Sequence, residues 1–210
     1  MNILILGAGL MQKPAILSAK ELGFTVCVID ANDKAVAIPY AHKFKKIDLK
    51  DKEGILEYAK ELQIEQNGGL AGVFTAGTDF SASVSYVCQK LSLPSHSFEA
   101  ATNASVKTQM RQCFKNHNVP SPEFFSVSKE QIQSESQINQ LLQTITSKIE
   151  YPFVVKPVDN MGARGCRMIR SQDELLENAK IAIEYSRTKK AILEEYMEGM
   201  EFSIDALVFD

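Results

Sequence analysis

Short apolar runs alternate with amphipathic stretches through the first half of the chain. Asn2–Leu6 and Thr25–Ile29 read as buried strands, Lys43–Ile47 as a weaker third and Leu70–Thr75 as a fourth. Between them the spacing turns helical, over about Met11–Leu22, Asp51–Gln63 and Asp79–Leu91. Ile55, Tyr58, Ala59 and Leu62 follow the i, i+3, i+4, i+7 rule of a single helix face. Pro14 fits only the first turn of its helix, which sets that start near Leu10 or Met11. Strand–helix alternation with short connections predicts a parallel, doubly wound sheet. Ligands of such a sheet gather at the C-terminal strand ends, here Gly7–Gly9, Asp30 and Thr75–Asp79.

The second half reads differently. A helix is expected from about Ala104 to His117, ended by the extended link Val119-Pro120-Ser121-Pro122. Ser128 with Gln131 fits a capping box, and the Gln- and Ser-rich stretch from Gln131 to Ser147 reads as a solvated helix or loop. Phe153–Pro157 is a predicted strand, Asp159–Gly165 a glycine-containing loop and Cys166–Ile169 a second strand. Ser171 and Glu174 form another candidate capping box before a helix that runs to about Tyr185. Ala191–Tyr196 and Phe202–Phe209 read as two more strands. In the last of these Phe202, Ile204, Ala206 and Val208 share one face, a pattern expected to pair with a second copy or to lie on the Ala104–His117 helix. This half is α+β and does not continue the parallel sheet.

Composition narrows the function classes. The 210 residues are 45% apolar and 23% charged, which allows a sizeable core. A net charge of −3 argues against a general electrostatic role on nucleic acid or an anionic membrane, leaving only a local basic patch open. No apolar run reaches the roughly 18 residues of a membrane span. The opening Met1–Leu6 lacks a basic leader and reads as a strand rather than a signal peptide. Cys27, Cys88, Cys113 and Cys166 form no CxxC pair, so reduced thiols in a cytoplasm are the simplest expectation.

Three motifs carry chemistry. Gly7-Ala8-Gly9-Leu10-Met11-Gln12 follows a strand and opens a helix, as a dinucleotide fingerprint does, with Asp30 where a ribose acid would stand. Gln12 occupies the third glycine's place, so a plain tight turn competes with an NAD site. Lys156 ends an apolar strand, and an unpaired ammonium there is costly if buried. The loop after it, Asp159-Asn160-Met161-Gly162-Ala163-Arg164-Gly165, offers backbone N–H groups and a guanidinium to phosphate oxygens. The competing reading is an edge-strand lysine facing water beside an ordinary β-hairpin. Finally, Ile192 to Phe202 runs from a strand ending in acids, through a turn at Gly199, to a strand opening with Glu201. Such a hinge offers main-chain groups to an adenine edge, or is merely a solvated acidic turn.

In this order, the lysine strand, glycine loop, helix and EEY-x-EG-x-EF segment resemble the ATP-grasp superfamily. Gly7-Ala8-Gly9, Ala19-Lys20-Glu21-Leu22-Gly23 and Gly77-Thr78-Asp79-Phe80 resemble the domain that precedes it in carbamoyl-phosphate synthase-like, biotin carboxylase-like and purine-biosynthetic ligases. The resemblance implies an α/β fold: a Rossmann-like substrate domain over residues 1–101, then the start of an ATP-grasp domain over 102–210 with a lid at about 127–199. It implies an enzyme, a cytoplasmic ATP-dependent carboxylate ligase working through an acyl phosphate, with magnesium, a small-molecule carboxylate and a second copy as candidate partners. Lys107 and Lys156 then correspond to the phosphate lysines and Met161, Gly162, Ala163, Arg164 and Gly165 to the covering loop. Glu194, Glu195, Tyr196 and Met197 correspond to adenine contacts, Glu201 to the ribose ligand, and Gly7, Gly9, Gly77, Thr78 and Asp79 to the substrate site. Lys107-Thr108-Gln109-Met110-Arg111 matches a family lysine–methionine–arginine pattern, with Val106 where an acid is usual. The family's metal ligands and catalytic residues lie beyond the position of Asp210, so the chain is expected to be an inactive N-terminal portion. A non-catalytic nucleotide-binding or assembly module and an NAD-binding Rossmann protein are the alternatives.

Overall fold

The computed structural model describes residues 1–66, 68–204 and 206. The chain forms two compact units, Met1–Met110 and Arg111–Asp210. In the first, β1 (Asn2–Leu6), β2 (Thr25–Asp30), β3 (Lys43–Lys46) and β4 (Leu70–Thr75) make a wholly parallel sheet in the order β3-β2-β1-β4. Alternation along each strand feeds two cores. Leu4, Leu6, Cys27 and Ile29 pack with Ile55, Ala59 and Leu62 of α2 (Lys52–Gln63) and Val87 and Cys88 of α3 (Ser81–Leu91). Ile5, Val26 and Val28 face Ile16 and Ala19 of α1 (Lys13–Glu21). Helices on both faces make the sheet doubly wound, as the apolar pattern predicts.

Differences in this unit are local. Leu10–Gln12 is a 3-10 turn, and α1 begins only at Lys13, with Pro14 still in the first turn. Asp51 caps α2, its carboxylate accepting from the Gly54 N–H at 3.0 Å, so the helix starts one residue later than expected. The single helix expected from Ala104 to His117 is two, α4 (Phe98–Ser105) and α5 (Lys107–Asn116). Val106 between them is extended. Thr102 and Ser105 turn their hydroxyls back to the Phe98 and Ala101 carbonyls, both at 2.7 Å, a pattern that loosens a helix end.

The second unit is built on an antiparallel sheet of β5 (Phe124–Ser128), β6 (Phe153–Pro157), β7 (Arg167–Ile169) and β8 (Lys190–Glu195), in the order β5-β8-β6-β7. One sheet face carries Val127, Phe153, Val155, Ile169, Ala191 and Leu193 into a core closed by α6 (Glu135–Thr146) and α7 (Gln172–Tyr185). Sequence reading misses β5 and takes α6 for a solvated segment. Leu142 and Ile145 of α6 are buried, and Ser134 with Gln137 caps it. The Ser128–Gln131 box is present but opens a 3-10 turn. The Ser171–Glu174 box does not form: Glu174 accepts instead from the Arg170 N–H at 2.8 Å. Glu201, Phe202, Ser203, Ile204 and Ala206 carry no strand, and the rest of the expected Phe202–Phe209 strand lies outside the described residues.

Asp159, 8% exposed, ties the exit of β6 to the turn between α7 and β8. Its carboxylate accepts from the Ser186 hydroxyl at 2.8 Å and from the Arg187 and Thr188 N–H groups, both at 2.9 Å. Burial pushes this carboxyl's pKa up, but those hydrogen bonds outweigh it and hold the pKa below the ordinary Asp value.

Two predictions follow from this packing. Phe153→Ala, at a fully buried site, is expected to cost about 3–5 kcal/mol in urea unfolding, whereas Phe202→Ala, 77% exposed, should stay within about 0.5 kcal/mol. Equal effects would mean that Phe153 is not a core residue. For Asp159, a depressed native pKa means that its contribution is complete above the unfolded value of about 3.9 and is lost as pH falls from there through the native pKa. Melting temperature should therefore fall more steeply with acid in the wild type than in Asp159→Asn. Parallel profiles would remove Asp159 from the account.

Candidate nucleotide site

At the C-terminal edge of the parallel sheet the expected glycines come together, but the hollow between them is filled. Gly7 has φ +96°, and a Cβ there would lie 3.1 Å from the Gln12 amide. The Gln12 carbonyl oxygen accepts from the Gly9 N–H at 3.0 Å, and its amide nitrogen donates to the Ala76 carbonyl beyond β4. Gly77, φ +62°, lies under Met11, where a Cβ would come within 2.9 Å of that side chain. Thr78 bonds Thr75 at 2.8 Å and accepts from the Phe80 N–H at 3.2 Å, shaping the turn in which Asp79 stands. Asp30 receives the Ala8 and Asn32 N–H groups at 2.9 and 2.8 Å. The groups that a dinucleotide would need for pyrophosphate and ribose are thus engaged with the protein itself.

In the second unit, strand alternation sorts the residues by face. The face opposite the core carries Val154 and Lys156 on β6 and Ile192 and Glu194 on β8. Glu194 is directly across from Val154 and therefore diagonal to Lys156, within reach of a long side chain. The Lys156 ammonium lies 2.5 Å from Glu194 Oε2. Arg111, on α5, brings Nε to 2.8 Å from Glu194 Oε1 and Nη2 to 3.4 Å from Oε2. The Glu194 side chain is 5% exposed, against 17% for Arg111 and 22% for Lys156. Burial raises the Glu194 pKa, but the hydrogen bonds and charges of Arg111 and Lys156 together overcome it and hold the carboxyl below its usual range. Lys156 is thus on an inner strand and paired, not an edge lysine facing water.

The glycine loop lies in the β6–β7 connection, beginning three residues after Lys156. Gly162, Ala163 and Gly165 all have positive φ, and Met161 is half exposed. Arg164 folds back onto the Met161 carbonyl at 3.3 Å and the Asn160 side chain at 3.2 Å. Gly165 lies close to Tyr185 and Pro157, where a Cβ would come within 3.0 Å of the tyrosine. Glu195, Tyr196, Met197 and Glu201 are exposed, the last three after β8 has ended. Lys107 opens α5 and belongs to the first unit, Lys156 to the second. Arg111 is the participant that the sequence reading leaves without a role; its only trace there is the lysine–methionine–arginine spacing.

A family model described as the D-ala D-ala ligase C-terminus matches residues 113–208. A formate-dependent phosphoribosylglycinamide formyltransferase of Prochlorococcus marinus is 26% identical over 94% of this chain and 48% of its own length. The C-terminal section of a carbamoyl phosphate synthase large chain from Methanocaldococcus jannaschii is 23% identical over 92% of this chain and 30% of its own. Among solved structures, an N5-carboxyaminoimidazole synthetase from Staphylococcus aureus complexed with ADP superposes with a TM-score of 0.69 at 20% identity, over 93% of this chain and 47% of that one. The chain spans less than half the length of these relatives. A ligase family model along residues 113–208 and such relatives along nearly the whole length support the resemblance of this chain to the ATP-grasp superfamily.

Proposed function

We propose that the chain is the nucleotide-gripping portion of an ATP-dependent ligase that joins a small-molecule carboxylate to an amine or another nucleophile. One observation carries this reading. Two cations and one buried carboxylate occupy a single sheet face, and the inner strand that bears Lys156 runs directly into the glycine loop. In such a ligase the carboxylate oxygen attacks the γ-phosphorus, ADP departs, and the nucleophile then displaces phosphate from the acyl phosphate. Transfer of this kind depends on positioning and charge neutralisation. In this proposal Lys156 and Lys107 hold phosphates and residues 161–165 cover them. Glu194, Glu195, Tyr196 and Met197 line the adenine, and Glu201 takes the ribose. The first unit presents the carboxylate at the rim of the edge shaped by Gly7, Gly9, Gly77, Thr78 and Asp79, with residues 1–101 as substrate domain and about 127–199 as lid. Among the described residues no three His, Cys, Asp or Glu side chains are grouped to hold a metal. In this proposal magnesium would act on the same nucleotide phosphates, where it is usually held by one or two carboxylates and the phosphates themselves.

Calorimetric titration tests the proposal. ATP is expected to bind the chain and NAD to give no heat. Lys156→Ala should weaken ATP binding about tenfold or more, the scale of one lost charge-assisted hydrogen bond. Tight NAD binding, or ATP binding indifferent to Lys156, would show the reading to be wrong. In a full-length ligase containing this chain, the same substitution should abolish turnover and leave the melting temperature nearly unchanged.

A further inference from the structure

The geometry points to Arg111 as a positioning residue: it shares the Glu194 carboxylate with Lys156, so that Lys156 can leave for a phosphate without stranding a buried charge. The inference rests on the nucleotide reading above. As the structure stands, Lys156 is committed to Glu194 at 2.5 Å. For its ammonium to serve a phosphate, that contact must lengthen or be shared. Breaking a buried pair from one side ordinarily leaves an uncompensated charge, at heavy cost. Here Arg111 makes the remaining claim on the same carboxylate, through Nε on Oε1 and Nη2 on Oε2. Its fork donates to both oxygens at once, which an ammonium cannot do as well. Two cations around one carboxylate also leave a net positive site, suited to an arriving polyanion. Arg111 comes from a helix and Lys156 from a neighbouring strand, so one can move while the other holds.

The test reads the reactivity of Lys156 directly, by limited acylation with acetic anhydride and peptide mass spectrometry on the 210-residue chain without nucleotide. The rate reports how freely the Lys156 amine leaves its contact with Glu194 to meet the reagent. Removing Arg111 gives Lys156 sole possession of the carboxylate and removes a neighbouring positive charge. Arg111→Met is therefore expected to slow acylation of Lys156 several-fold relative to the other lysines, Arg111→Lys to restore part of the rate, and Glu194→Gln to raise it above wild type. A lysine merely loosened by local unfolding would react faster in Arg111→Met, so that outcome overturns the sharing. Millimolar ATP should protect Lys156 in the wild type and protect it less in Arg111→Met. Unchanged acylation in Arg111→Met, with ATP protection intact, overturns the role of Arg111 and leaves the nucleotide reading standing. Absence of ATP protection in the wild type, with the order of the variants as expected, overturns the nucleotide reading and the handover with it.

Discussion

A carboxylate with almost no access to water, held between a guanidinium and an ammonium, sets the terms for the second unit. Withdrawing an ion from water costs several kcal/mol even after relaxation, and only close, well-oriented partners offset it. Strand order supplies them. Glu194 and Lys156 lie on the two inner strands, β8 and β6, whose register makes them diagonal neighbours. Arg111 reaches the same group from 83 positions earlier in the sequence. Ile192 and Val154, on the same face, keep the surroundings apolar and the local dielectric low. The opposite face of the same strands holds Phe153, Val155 and Leu193 in the core, so any shift of register would displace core and ion cluster together.

The first unit solves a different problem with uncharged groups. Its glycine loop has the backbone of a phosphate cradle, yet the Gln12 amide occupies the hollow and bridges the ends of β1 and β4. Both functions of the amide are used, and Asp30 spends its oxygens on main-chain donors. This edge is a closed, hydrogen-bonded surface between neighbouring strand ends, and any small molecule there must be read by side chains around its rim.

The parallel sheet was legible because β1, β2 and β4 are apolar runs and α2 shows unbroken four-residue spacing. The second unit was read less completely, for identifiable reasons. Pro120 and Pro122 drew attention to a linker, although Phe125 and Val127 alternate with Ser126 and Ser128 just beyond. The glutamines of α6 obscured Ile138, Leu141, Leu142 and Ile145, which lie on one helix face and enter the core. Capping boxes misled where the acid had a competing donor, as Glu174 does in the Arg170 N–H. Lys156 and the glycine loop stood out as local motifs. The partnership of Glu194 with Arg111 did not, because nothing in the intervening sequence encodes which strand face a distant helix will meet.

The clamp at Asp159 and the tight fit of Gly165 against Tyr185 and Pro157 fix both ends of the loop between them. Only residues 160–164 are left as tether. At roughly 3.5 Å of reach per residue, its midpoint can stand no more than about 10 Å from either anchorage. A loop so short cannot sweep far from its anchorages. Its reach is set by range: whatever residues 160–164 touch must lie near the end of β6, within arm's length of Lys156.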